Sequence, residues 1–246
     1  MPWYAQPRGG WTLYDAEGEE NALMMNGFMN EYDFSLESQS AVIACCGHEG
    51  AYNPWRWGLD QTAMSSTLQG YGLFQYTPWS KYVGDAYAET LEGYAPNLSV
   101  DEVTAGADPA DGWAQMLYFD TTLQIPGNWA GYMWRVYWNT DPDNPYALTE
   151  EEYEYYRSVQ ADVVSRWGDG DGWVSYETFK QMDIIDDAVW AFLAGFEGPA
   201  WPKYWESACD LANGRVWEII SGDTPPDRPS YGKRKKMPLW MYLRRY

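Results

Sequence analysis

Residues 35–49 constrain this chain more than any other stretch. Ser35 stands before Leu36 and Glu37 as a helix N-cap with an acidic first turn. The apolar run Ala41–Cys46 then leads into Gly47-His48-Glu49. A helix over Ser35–Glu49 puts Val42, Cys45 and Cys46 seven, four and three residues behind Glu49, on the same face. Glu49 is therefore predicted to leave the helix from its buried stripe. Beyond it Pro54, Gly58, Gly70 and Gly72 break the helical pattern, so residues 52–76 are expected to form a small β-hairpin or twisted loop.

A carboxyl group in that place is pushed toward its neutral form in two ways. Desolvation disfavours the carboxylate, and the negative end of the helix dipole repels it. An acid still protonated near neutral pH is what protonating a glycosidic leaving oxygen requires. The competing reading is a glutamate that ends a fraying helix and points to water.

The surrounding residues carry a resemblance. His48-Glu49-Gly50 with Asn53-Pro54-Trp55, followed by Gly70-Tyr71-Gly72-Leu73-Phe74-Gln75-Tyr76-Thr77-Pro78, resembles the phage tail lysozyme family. That family shows a Glu-Ser pair after an apolar helix, an Asn-Pro soon after, and Gly-Tyr-Gly-Leu-Val-Gln-Trp-Thr-Pro. Here Gly50, Phe74 and Tyr76 replace the usual Ser, Val and Trp. Tyr176–Lys180 and Phe196-Glu197-Gly198-Pro199 are similar to later family stretches, so the likeness spans roughly residues 10–220 and is strongest in the first third. A glutamate followed at this distance by Gly-Leu-hydrophobic-Gln is also shared with goose-type lysozymes and lytic transglycosylases. The resemblance implies an α+β, mostly α, lysozyme-like fold with a small β-hairpin lobe beside a cleft. It implies cleavage of the peptidoglycan backbone between N-acetylmuramic acid and N-acetylglucosamine, with Glu49 as catalytic acid and no cofactor.

The second carboxylate is less plain. Animal-type lysozymes carry an Asp just before the corresponding segment, where this chain has Gly70. Asp60 is the best-placed alternative, as base for an incoming water in an inverting reaction, against the plainer reading of a turn aspartate. Without a second carboxylate, Glu49 could act first as base, and the sugar's own hydroxyl would attack to give an anhydro product. Tyr71 and Gln75 match the family motif and are candidates to contact saccharide or position Glu49. Trp55, Trp57, Tyr76 and Trp79 are stacking candidates, each also suited to a core.

Composition narrows the partners. The chain holds 16 Trp and 21 Tyr against 7 Phe, an excess of rings with a polar edge that suits sugar-stacking surfaces. A net charge of −20 argues against nucleic acid, whose phosphates need the opposite sign. No apolar run approaches the roughly 18 residues of a membrane span, and MPWYAQPRGGW is not a signal segment. The expected setting is a virion, as part of a phage tail, made in the host cytoplasm and acting on the host wall. Cys45, Cys46 and Cys209 are too few and too unevenly spaced for a disulfide framework.

Three organisational units are expected: a Pro/Gly-rich extended arm outside the core over 1–18, a catalytic domain over 19–220, and a tail over 221–246. Helices are predicted over 19–29, 35–49, 113–123, 184–196 and 203–220. Another runs from a Thr149–Glu152 capping box to about Trp167, and 79–91 is a further candidate. The tail carries seven Lys/Arg and two Asp, net +5, leaving −25 on residues 1–220. It reads either as a solvated tail or as a docking arm for other phage tail proteins or a neighbouring acidic body.

Other chemistries fit poorly. Asp169-Gly170-Asp171-Gly172 lacks two principal ligands of a calcium loop, the bidentate glutamate among them. A cysteine nucleophile would have to use the sole histidine, His48, yet Cys46 and His48 point to opposite helix faces and Cys45 to the buried side. His-Glu without a second histidine cannot form a two-histidine zinc site.

Overall fold

Helix α2 (Leu36–Glu49) is buried on every side from Ser38 to Cys46. Such a segment is stable only inside other helices, and the rest of the fold is arranged around it. The computed structural model describes residues 3–6, 9–55, 70–75, 111–125, 127–129, 147–169, 172, 174–197, 202–224, 226–228 and 231. Along these residues run α1 (Ala16–Glu31), α2, α3 (Asp111–Leu123), α4 (Glu150–Trp167), α5 (Tyr176–Lys180), α6 (Ile185–Phe192), α7 (Pro202–Leu211) and α8 (Trp217–Ser221). Wide π-type turns continue α6 through Leu193–Glu197 and join α7 to α8 over Ala212–Val216.

Local chemistry sets the helix starts. Ser35 Oγ accepts the Ser38 N–H at 3.1 Å, and the Ser35 N–H donates to the Lys180 carbonyl at 2.7 Å, so α5 fixes where α2 begins. The predicted capping box opens α4: Thr149 Oγ1 accepts the Glu152 N–H at 3.2 Å while Glu152 accepts the Thr149 N–H at 2.7 Å. The 203–220 expectation is corrected to two helices, because the backbone leaves the helical region at Gly214 (φ −105°, ψ −109°). Helix α2 packs most extensively on α6 and also meets α1, α5, α7 and α8.

The α+β expectation is overturned. Among the described residues there is no β-strand, and the protein is mostly helical. Of the expected hairpin, residues 52–55 and 70–75 are described, and 72–75 form a turn in which the Gln75 N–H returns to the Gly72 carbonyl at 3.2 Å. Gly72 (φ +81°) and Gln75 (φ +45°) take left-handed backbone that a strand cannot use. The Leu73 N–H, a ladder donor in a hairpin, goes to the side chain of Gln115 instead. Residues 56–69 and 79–91 lie outside the described residues.

The arm expectation also changes. Residues 4–6 and 9–12 have no helical or strand backbone, but Trp3 and Leu13 belong to the core at 3% and 2% exposure. Two buried asparagines hold the arm: Asn21 pairs with both the N–H and carbonyl of Tyr4, and Asn53 does the same with Gln6. At the other end, Pro226–Arg228 and Tyr231 lie on the body, where Tyr231 is 1% exposed. Cys45, Cys46 and Cys209 are free and buried. No helix among the described residues is long and apolar enough to cross a membrane.

Candidate functional site

Helix α2 leaves the core again in its last turn. Cys46 is buried, Gly47 and Glu49 are half-buried, and His48 is exposed with its ring 6.4 Å from that of Tyr204 on α7. Glu49 is the last helical residue. Gly50, wholly enclosed, follows it with its N–H on the Cys46 carbonyl at 2.8 Å. A Cβ on Gly50 would overlap the Leu73 carbonyl and lie 2.7 Å from Leu73 Cα. The end of α2 and the Gly-Leu-Phe-Gln turn thus touch backbone to backbone, leaving room only for glycine between them.

Two short loops flank Glu49. In the first, Ala51 (φ +48°) and Tyr52 (φ +55°) are left-handed, a rare state for residues with side chains. The Ala51 carbonyl accepts the Trp11 N–H at 2.9 Å, and the Tyr52 carbonyl accepts Asn21 Nδ2–H at 2.6 Å. The Tyr52 ring lies over Gly47, and its buried hydroxyl finds no hydrogen-bond partner among the described residues. Burial, with Cys46 and Cys45 nearby, holds its pKa well above the ordinary phenol value. In the second loop Phe74 stacks on Phe119 of α3 (4.4 Å between centroids, 6° between planes) and meets Phe196 edge-on at 5.8 Å. Two stretches far apart in sequence, both part of the family-like pattern, are joined there.

The predicted site residues divide accordingly. Glu49, Trp55, Tyr71 and Gln75 fall among the described residues; Asp60, Trp57, Tyr76 and Trp79 lie outside them. Tyr71 is fully buried, so its ring offers no face to solvent. Gln75 is half-buried, and its Nε2–H donates to the Gly72 carbonyl at 2.9 Å, bracing its own loop. Trp55 packs against the core with part of its ring exposed, and its indole N–H is buried with no hydrogen-bond partner among the described residues. Of the Asp169–Ser175 loop, Asp169 is exposed and Val174 is buried, its carbonyl accepting the Trp129 indole N–H at 2.8 Å.

Sequence reasoning missed Gln115. It is wholly buried on α3, its Oε1 accepts the Leu73 N–H at 2.7 Å, and its Nε2–H donates to the Pro54 carbonyl at 2.6 Å. The signal was a polar Gln in the otherwise apolar Trp113–Phe119 stretch, where an uncharged amide needs internal partners.

No protein-family model matches this chain, and no curated protein matches its sequence. Its chemistry has to be read from its own residues. A cavity of about 460 Å³ lies at the far end of α3, among Leu123, Trp129, Asp169, Val174, Tyr176 and Glu177. None of the described site candidates, Glu49, Trp55, Tyr71 and Gln75, lines it.

Proposed function

We propose that this chain cleaves the glycan backbone of bacterial peptidoglycan, between N-acetylmuramic acid and N-acetylglucosamine, with Glu49 as general acid. The observation that carries this reading is the contact of Gly50 with Leu73. It sets a half-buried carboxyl group at the end of a core helix and the Gly-Leu-Phe-Gln turn side by side. Glycoside cleavage asks for a fixed acid next to a surface that holds sugar, and helix ends make more exact supports than free loops. Among the described stacking candidates, Trp55 is the one that is partly exposed, so the open part of its ring is proposed to add sugar contact. Asp60 is the proposed base for the incoming water. The proposed setting, resting on the sequence resemblance to phage tail lysozymes alone, is a phage tail, where the enzyme would open the host wall.

The test is clearing of a cell-wall suspension by the full chain and by Glu49→Gln. Loss of clearing with an unchanged circular dichroism spectrum supports the reading; undiminished clearing removes it. Product masses separate the chemistries. A hydrated reducing end marks a hydrolase, an anhydro end marks a transglycosylase using the same glutamate, and bound but uncut glycan marks a structural tail component without turnover.

A further inference from the structure

We infer that Gln115 is the positioning residue of this site, holding the two loops beside Glu49 in a single arrangement; the inference rests on the glycan-cleaving reading above. Its carboxamide spans between them. The acceptor end takes the Leu73 N–H at 2.7 Å, and the donor end gives to the Pro54 carbonyl at 2.6 Å. These partners lie 42 and 61 positions away in sequence. Leu73 is also the residue against which Gly50 is pressed, so the carboxamide fixes the surface that the end of α2 rests on.

Three observations make this more than a satisfied core amide. First, of the four described non-glycine residues with positive φ, three (Ala51, Tyr52 and Gln75) lie in these two loops. Such backbone persists only where its surroundings over-determine it, and it gathers at functional sites. Second, Gly72, itself at φ +81°, leaves no space for a Cβ because the Gln115 carboxamide occupies it. The loop is shaped around this side chain. Third, the two partners demand opposite polarities, one donor and one acceptor on adjacent atoms. At this length a neutral amide supplies both. Asn is one methylene short, Leu supplies neither, and an ionised Glu can accept from Leu73 but cannot donate to Pro54.

That asymmetry provides the test. In Gln115→Glu, the introduced carboxyl group loses the Pro54 bond while ionised and regains it once protonated, when its O–H donates and its carbonyl accepts. Steady-state kcat and KM on soluble glycan strands are measured for the full chain, Gln115→Glu, Gln115→Leu and Gln115→Asn. The pH is varied at temperatures where circular dichroism shows each protein folded. The expected result is a fall in kcat of about tenfold or more for Gln115→Leu and Gln115→Asn at every pH, and for Gln115→Glu at the alkaline pH that ionises a buried carboxyl, with KM changing much less, because misplacement by a fraction of an ångström costs rate before binding. As pH falls, the ratio of Gln115→Glu to wild-type kcat should climb toward one, while the Leu and Asn ratios stay level. A purely structural glutamine would alter the melting temperature and leave those ratios unchanged. A wild-type chain that cleaves glycan alongside a Gln115→Asn variant with wild-type kcat overturns the positioning role alone. A wild-type chain that cleaves no glycan overturns the reading beneath it, and this inference with it.

Discussion

Arg228 and Asp186 are 42 positions apart in sequence, and the Arg228 Nε–H donates to both carboxylate oxygens of Asp186, at 3.1 and 3.0 Å. The contact belongs to a buried network. Asp186 and Asp187, consecutive in the first turn of α6, are both fully enclosed. Asn213 donates to Asp186 at 2.6 Å; Asp187 takes a two-pronged contact from Arg166 at 2.6 and 2.7 Å, the Trp167 indole N–H at 2.7 Å, and the Tyr231 hydroxyl. Two adjacent buried carboxylates are tolerable only because cations from α4 and from the start of the tail meet them. Pro226–Arg228 and Tyr231 are therefore a strap on the C-terminal helices.

Removing that cation should be costly. Arg228→Ala leaves Asp186 buried with less compensation, and a loss of about 3 kcal/mol is expected. Chemical denaturation of the variant against wild type measures it; a loss below about 0.5 kcal/mol would show that the strap contributes nothing beyond a surface ion pair.

Gly50→Ala should damage both fold and site. The added methyl overlaps the Leu73 carbonyl, and backbone has no rotamer by which to move aside. An overpacking cost of about 1–3 kcal/mol is expected, with loss of wall clearing at temperatures where the protein is still folded. Wild-type clearing by a folded Gly50→Ala variant would mean that α2 and the Leu73 turn need no close approach.

The two asparagines that hold the N-terminal arm give a third expectation. Asn53 Nδ2 donates to the carbonyls of Gln6 (2.7 Å) and Gly9 (3.0 Å), and its Oδ1 accepts the N–H groups of Gln6 and Trp55. Asn53→Ala strands several part-buried backbone groups, costing about 2 kcal/mol, and should expose residues 3–12 to proteolysis under native conditions. Mass spectrometry of a timed digest reports this directly. Unchanged cleavage would place the hold on the arm in Trp3, Leu13 and the Asn21 pairing with Tyr4 instead.

Alkali supplies the fourth. Burial raises the pKa of Tyr52, and burial with the adjacent Asp187 raises that of Tyr231, both from an ordinary value of 10.0. A folded-state pKa above the unfolded one means stability is fully present below about pH 10 and declines as pH rises beyond it. Tyr52→Phe and Tyr231→Phe should each flatten the loss of melting temperature above that pH. Equal alkaline slopes in wild type and both variants would contradict it.

The hairpin expectation failed for a specific reason. Glycines and aromatics alternating over residues 70–76 have the composition of a strand pair, yet a hairpin needs each strand to use the other's backbone donors and acceptors. Here a carboxamide from α3 takes the Leu73 N–H, and no local pattern announces a partner 42 residues away. Two residues of the stretch after Ser221 were hidden in the same way. Arg228 and Tyr231 are held by carboxylates that sequence distance hides.

By itself the sequence determined what depends on neighbours a few residues apart. The Ser35 cap, the Thr149–Glu152 box, the span of α2 and the position of Glu49 at its end follow from hydrogen bonds and periodicity within one or two turns. Only the tertiary structure decided that α2 is enclosed on all sides from Ser38 to Cys46, that Gly50 rests on Leu73, and that Gln115 ties Leu73 to Pro54. Those relations join residues dozens of positions apart, and packing selects them through volume, burial and the demand that each enclosed polar group find a partner.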